Sequence, residues 1–274
     1  MTTREKTIET EPDMNEIAEK KRRELDFQAR RAREMGNIKP TPRHVIEKYR
    51  KNPRWRYIPK EFVFKTLGNL EGKSVCDFGC GEGVLTSQLA GLGAKVTSVD
   101  ISPDLIEKAR KRVELDGVAH RVNFVVADAE EMKVPAEEFD LVVAYEVLHH
   151  VEIPVVMEKL IKSLKPGGRA VIIEPVAFSP ILRKVRALTP VAVDGDSDDR
   201  QLTKEEVDEI RGFFDSSETT FFRLLGRLAR LAPGRFRFPA LMTLSVIDRF
   251  LLGALPPVRK FSGVVVVHGR KGKK

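Results

Sequence analysis

From Val75 onward the chain alternates short apolar runs with stretches whose apolar residues recur every three or four places. The short runs are 75–78, 95–99, 122–127, 139–144, 169–174 and 263–268, rich in β-branched residues. Unbroken runs of this kind suit strands buried on both faces of a parallel sheet. Between them the spacing turns helical: Val84, Leu85, Leu89 and Leu92, then Leu105, Ala109 and Val113, then 154–164. The second of these helices carries its own punctuation, with Ser102 as N-cap, Pro103 and Asp104 in the first turn and Gly117 at the close. The third runs into Lys165-Pro166-Gly167-Gly168. Strand and helix in alternation predict a doubly wound α/β sheet.

Two stretches leave that rhythm. Residues 1–12 are polar and read as disordered, and 13–35 read as a charge-laced helix. Met14, Ala18, Leu25, Ala32 and Met35 give that helix a thin apolar stripe, and Gly36-Asn37 ends it. With nine positive and nine negative side chains in 1–35, it is expected to be a solvated helix that packs weakly or covers a cleft. Residues 39–60 add four prolines with Tyr49, Trp55 and Tyr57, an irregular segment that covers a pocket or packs on the domain. After Pro175 the alternation breaks again. Thr203 and Glu206 form a capping box opening a helix to about Gly212, and 221–231 and 238–255 read as further helices. The expected organisation is an N-terminal helical and irregular extension (1–60), an α/β core (61–175), a helical cap inserted before the last strand (176–262), and that strand with a basic tail (263–274).

Composition narrows the class. The 274 residues are 42% hydrophobic and 32% charged, as in a soluble globular protein with one large α/β domain, capped or not. The N-terminus has no apolar run, so no signal peptide is expected and a cytoplasmic location is the default. Cys76 and Cys80 are too few for a disulfide framework or a zinc site. The net charge of +8 is uneven: residues 223–274 hold twelve Lys/Arg and one acid, Asp248, for +11, leaving −3 on the preceding 222. A local electropositive surface follows, not a general coat for nucleic acid. Arg223, Arg227 and Arg230 share one face at ~100° per residue, opposite Leu224, Leu225, Leu228 and Leu231. Such a helix can lie on an anionic membrane, though a cap helix packing inward with a solvated Arg face is the usual reading of an amphipathic surface helix. Residues 238–255 are apolar but interrupted by Asp248-Arg249 and short for a membrane span. The acidic loop 194–199 with Glu205 imitates a calcium loop but has Asp199 where glycine belongs, so no metal is expected.

The candidate chemistry begins at the first strand. It ends in Asp77-Phe78-Gly79-Cys80-Gly81-Glu82-Gly83, and a helix follows from Val84. Glycines there bring backbone close to a ligand, with the free N–H groups of a helix start behind them. The dinucleotide fingerprint G-x-G-x-x-G/A fails at Val84. A carboxylate at Asp77 would repel a pyrophosphate and suit a cofactor bearing an amino group and a sulfonium. Asp100 ends the second strand, twenty-one residues after Gly79, where an acid can accept both ribose hydroxyls. Asp128-Ala129 ends the third, where a side-chain acceptor and the next N–H can read adenine. Each acid alone could be a helix cap; the three together suit one cationic nucleoside.

Two further stretches complete the set: F-D-L-V-V-A-Y-E-V-L-H-H-V over 139–151 and L-K-P-G-G-R-A-V-I-I-E over 164–174. In this order and spacing, residues 72–175 resemble the class I S-adenosylmethionine (SAM) methyltransferases. The rest has a looser likeness to small-molecule enzymes of the "methyltransferase 11" type. The resemblance implies a Rossmann-like, seven-stranded, mostly parallel sheet, with SAM as cofactor and S-adenosylhomocysteine as product. It implies that Asp77, Gly79, Cys80, Gly81 and Gly83 line the methionine end. Asp100 and Ile101 would hold ribose and adenine, Asp128 and Ala129 the adenine, and Tyr145 would wall the sulfonium. Ala144-Tyr145-Glu146-Val147 stands where enzymes methylating base amines carry N-P-P-Y, so nucleic acid is disfavoured as a partner. His149 and His150 follow the fourth strand and Glu174 ends the fifth. A His–carboxylate pair there could take a proton from an attacking hydroxyl, as in some sugar and natural-product O-methyltransferases. Either His could instead only fix a helix start, since methyl transfer depends mainly on alignment and desolvation. The expectation is a SAM-dependent methyltransferase for a small-molecule or lipid-like acceptor, with O-methylation favoured. An RNA methyltransferase, an NAD-type oxidoreductase and a non-catalytic SAM-binding partner protein are the rivals.

Overall fold

A computed structural model describes residues 14–50, 58–180 and 200–273. Seven strands form one sheet: β1 (Ser74–Phe78), β2 (Lys95–Asp100), β3 (Val122–Val126), β4 (Phe139–Tyr145), β5 (Leu164–Pro175), β6 (Ser216–Phe222) and β7 (Val264–Arg270). Their spatial order is β3-β2-β1-β4-β5-β7-β6. Neighbours from β3 to β5 pair in parallel, and β7 runs antiparallel to both β5 and β6.

The strand pattern explains the layering. Val75, Leu141, Val143, Val171 and Ile173 point to one face, where they meet α3 (Pro59–Leu67) and α4 (Val84–Gly91). Cys76, Val142, Ala144 and Ile172 point to the other, against α6 (Ile153–Ser163) and α7 (Lys204–Gly212). Both faces of the central strands are therefore buried, as unbroken apolar runs require. The helix punctuation holds: Ser102 Oγ accepts from Leu105 N at 3.3 Å to open α5 (Pro103–Leu115), and Thr203 and Glu206 form the full capping box of α7. At the N-terminus α1 (Met14–Glu34) lies on α5, with Ala32 buried, and α2 (Arg43–Arg50) follows it.

The structure departs from the sequence pattern in three places. β5 takes in the Lys165-Pro166-Gly167-Gly168 turn, with an irregular register between Phe139 and Leu141. Residues expected to be helical from 221 begin instead in β6, an edge strand inside the stretch taken for a helical cap. There Phe221 and Phe222 pair with Val265 and Val264, and the ladder overrides the helical spacing. Consequently Arg223, Arg227 and Arg230 do not share a helical face. Arg223 sits at φ 60° just past the strand, and Arg227 and Arg230 lie in a 3-10 turn over Gly226–Leu231. The following helix α8 runs Gly234–Ala254. Trp55, Tyr57 and the acidic loop 194–199 lie outside the described residues.

β6 is antiparallel to β7, which is antiparallel to β5, so β6 leaves the sheet at the edge where β1–β5 also end. Residues 223–263 therefore sit on that edge, the side on which open α/β sheets bind ligands.

Candidate active site

The loop after β1 is shaped by what stands behind it. A Cβ at Gly79 would lie 2.4 Å from Val147 Cγ2, and one at Gly83 would lie 2.6 Å from the Ala109 Cβ. These two glycines let the loop press on the β4 exit and on α5. Gly81 differs: nothing stands within 4 Å of its Cβ position, and its N–H donates to Asp100 Oδ2 at 2.7 Å. The other Asp100 oxygen accepts from Ser102 N at 2.9 Å. One carboxylate thus ties the glycine loop to the end of β2, on the wall where an acid can accept a ligand hydroxyl.

Asp77 is buried inside β1 and accepts from Thr86 Oγ1 at 2.6 Å. Burial, with the nearby Asp100 charge, pushes its carboxyl up to about 7 against the opposing Thr86 bond. Lys60, whose ammonium burial lowers, lends a further positive charge. A buried acid held this high is a ready partner for a cation.

Asp128 lies beyond β3, which stops at Val126, so the three acids do not all end strands. Its Oδ1 accepts from Glu130 N at 2.8 Å, and its Oδ2 meets Lys21 Nζ at 2.8 Å. Lys21 also reaches Glu130 at 2.9 Å. Burial alone would lower the Lys21 ammonium, but the two carboxylates raise it. The charge-laced helix α1 therefore closes over this end of the site.

On the opposite side, Glu174 is wholly buried near the end of β5. Its Oε1 accepts from Val147 N at 2.9 Å and Leu148 N at 2.7 Å, and its Oε2 lies 2.7 Å from His149 Nδ1. The Leu148–His150 3-10 turn that carries both histidines is pinned by this one carboxylate. His149 and His150 have ring centroids 4.0 Å apart. The Arg200 Nε donates to the His149 carbonyl at 3.2 Å.

Lys21, Lys60, Asp77, Gly79, Gly81, Asp100, Asp128, His149 and His150 line one cavity of about 760 Å³, with Cys80, Ile101, Ala129 and Tyr145 among the other lining residues; Gly83 and Glu174 stand behind its wall. Burial raises the Cys80 thiol, so it stays neutral there. Burial pushes the Tyr145 hydroxyl up to about 12, helped by Glu146 and opposed by Arg223. Three carboxylates around an open glycine loop fit a nucleoside carrying an ammonium and a sulfonium, and no dinucleotide fingerprint competes.

Residues 69–213 match the profile of a methyltransferase domain. The chain belongs to this methyltransferase domain family. The match runs from the turn before β1 past the end of α7 and includes the glycine loop, Asp100, Asp128, His149 and Glu174. The mitochondrial ubiquinone biosynthesis O-methyltransferase of Schizosaccharomyces pombe is 41% identical over 112 residues, 40% of this chain and 40% of that protein. Its counterpart in Coxiella burnetii is 35% identical over 157 residues, 56% of this chain and 57% of that protein. The chain thus spans about half the length of the curated relatives it matches. Among solved structures, the magnesium protoporphyrin IX methyltransferase of Synechocystis, with S-adenosylhomocysteine bound, is 18% identical with a TM-score of 0.51, covering 92% of this chain and 100% of that one. That likeness is one of fold.

Sequence reasoning missed Lys21, Lys60 and Arg200. Lys21 is one of seven cations in a helix with no sharp pattern, and only its position above Asp128 singles it out. Lys60 and Arg200 border segments whose spacing carries no signal.

Proposed function

We propose that the protein is a SAM-dependent O-methyltransferase in which His149 is the general base and Glu174 orients it. The observation that carries this reading is the His149–Glu174 pair, a buried imidazole and carboxylate 2.7 Å apart with the imidazole on the cavity wall. Glu174 accepts the proton on Nδ1, so Nε2 is the basic nitrogen of the ring. Nε2 then takes the acceptor's hydroxyl proton as the oxygen attacks. A phenolic hydroxyl gives its proton to an imidazole more readily than an alkyl alcohol does, so a phenolic acceptor is favoured. The cofactor supplies an electrophilic methyl on a cationic sulfur. Asp77 holds its ammonium end, Gly79, Cys80, Gly81 and Gly83 shape the methionine channel, and Asp100 with Ile101 holds the ribose. Asp128 and Ala129 face the adenine and Tyr145 walls the reacting centre. The relatives named for O-methylation in ubiquinone biosynthesis support oxygen over nitrogen as the acceptor atom.

The segments on the ligand edge of the sheet, 200–203 and 223–263, form the acceptor cap in this reading. Phe62, Phe222 and Arg249 meet there, with Phe62 and Phe222 ring centroids 5.4 Å apart and the Arg249 guanidinium 5.9 Å from Phe62. An apolar wall with a cation suits a small-molecule or lipid-like acceptor, and the basic C-terminal region suits peripheral association with a membrane. A cytoplasmic setting belongs to the same proposal.

The test is transfer of a labelled methyl group from SAM to phenols with and without an apolar chain. Product is expected, with His149→Ala lowering kcat by ~10²–10⁴ while S-adenosylhomocysteine affinity holds. Full activity in both His149→Ala and His150→Ala would leave alignment alone as the mechanism.

A further inference from the structure

Large exposed apolar side chains are concentrated on one part of the surface. Among the described residues, only Leu115, Val125, Val126 and Val155 lie outside 228–255; eight lie within it. Leu231 is 77% exposed, Phe250 72% and Phe238 64%. In α8 the buried residues are Ser245, Asp248 and Leu252. At ~100° per residue, Phe236, Val246, Ile247 and Phe250 share an arc of about 100° on the opposite side. One face of α8 is turned to the protein, while the apolar outer face has solvent against it.

The charge around this face has one sign. Arg230, Arg235 and Arg237 are exposed beside it, with the Arg235 guanidinium 4.8 Å from the Phe236 ring. The one carboxylate side chain in 223–274 is Asp248. It is buried, and its two oxygens accept from Leu225 N at 2.7 Å and Gly226 N at 2.9 Å, fixing the turn before α8. No acidic side chain of the segment remains to offset the arginines. A symmetric contact with a second copy would set arginines against arginines. A surface of anionic headgroups over hydrocarbon answers both features at once.

We propose that the outer face of α8, together with Leu228 and Leu231 of the preceding turn, docks this protein on an anionic lipid bilayer. No described helix is long and apolar enough to cross a membrane, so α8 lies in the interface with Phe236 and Phe250 below the headgroups and Arg235 and Arg237 among them. The contact is on the ligand edge of the sheet. Arg223, at the root of the same segment, acts electrostatically on Tyr145, a cavity-lining residue. An apolar acceptor dissolved in the bilayer would therefore reach the cavity without crossing water. This link to the acceptor rests on the function proposed above; the docking face does not.

The test is co-sedimentation of the full chain with vesicles of equimolar phosphatidylglycerol and phosphatidylcholine, and with phosphatidylcholine alone. The expected result is binding to the anionic vesicles at low salt, falling as salt screens the arginines. Phe236→Ser with Phe250→Ser, and separately Arg235→Glu with Arg237→Glu, should each weaken partitioning by about tenfold or more. Calorimetry with S-adenosylhomocysteine should be unchanged in both. A wild type left in the supernatant with anionic vesicles at low salt overturns the proposal, as does wild-type sedimentation of both double variants. A dimer by light scattering that the phenylalanine variant splits, with no vesicle capture, gives the face to a second copy and also overturns it. Vesicle binding without S-adenosylhomocysteine binding would sink the cofactor reading and leave the docking face standing.

Discussion

Thr86 Oγ1 donates to Asp77 Oδ2 at 2.6 Å, and Ser98 Oγ donates to Thr86 at 3.0 Å. Two buried hydroxyls thus support a carboxylate that burial has driven up to about 7. Below pH 7 the acid is protonated and a poor partner for an ammonium; above it, the carboxylate is ready. Affinity for S-adenosylhomocysteine should therefore rise as pH rises through about 7 and then level off, read by calorimetry across that range.

The same acid bears on stability, with the opposite sign from a salt-bridged carboxylate. Its folded pKa is raised from 3.8 to about 7, so between those values the folded chain holds a proton that the unfolded chain releases. Stability falls as pH rises through that window and is flat above it. Asp77→Asn should gain more in melting temperature at pH 8 than at pH 5 while losing cofactor affinity. An Asn variant with unchanged affinity would remove Asp77 from the cofactor's ammonium end.

Lys21 tests whether α1 closes the site. Its ion pairs with Asp128 and Glu130 are partly exposed, so each contributes no more than a surface bridge. Lys21→Ala is expected to raise the dissociation rate of S-adenosylhomocysteine by up to about fivefold, with less effect at high salt. Stopped-flow release measures it, and an unchanged rate would make α1 a passive cover.

How much of this was legible follows from where each signal is stored. The central strands β4 and β5 declare themselves because strands buried on both faces must be largely apolar, whereas β3 carries its apolar run at a half-exposed edge. β6 does not declare itself: Ser216-Ser217-Glu218-Thr219-Thr220 is half solvated at the sheet edge, and its identity comes from pairing with β7. Helical spacing in 221–231 was real in the sequence but lost to that ladder. The glycine loop and Asp100 were legible because a backbone turn needs residue types that sequence displays. The burial of Asp77 was not, since it depends on α4 and β2 packing around it. The His149-His150 dipeptide offers no choice between its members; the 3-10 turn makes it by aiming His149 at Glu174.

Gly79 carries a steric prediction. Its φ of +71° and the 2.4 Å approach of Val147 both oppose a methyl group. Gly79→Ala should cost about 1–3 kcal/mol in denaturant unfolding. Adding Val147→Ala should return part of that, because it removes the clash and leaves the backbone strain.

Glu174 serves two purposes, and one substitution can part them. Its Oε1 holds the Val147 and Leu148 N–H groups, and its Oε2 holds His149 Nδ1. In Glu174→Ala two buried N–H groups lose their acceptor at a cost of about 1–3 kcal/mol each, so stability and activity fall together. In Glu174→Gln the amide oxygen can still accept both N–H groups, which keeps the turn. The amide nitrogen then faces Nδ1 as a donor, so the imidazole must put its proton on Nε2 and its lone pair on Nδ1. The ring stays in place with the wrong tautomer for taking a proton from an acceptor. Glu174→Gln is therefore expected to keep its melting temperature within a few degrees and its S-adenosylhomocysteine affinity unchanged, yet lose kcat by ~10²–10⁴ with little change in KM. Raising the pH to ionise a phenolic acceptor in solution should restore much of the rate, since the base is then no longer needed. A Gln variant as active as the wild type would confine Glu174 to holding the turn and take the general base out of the mechanism.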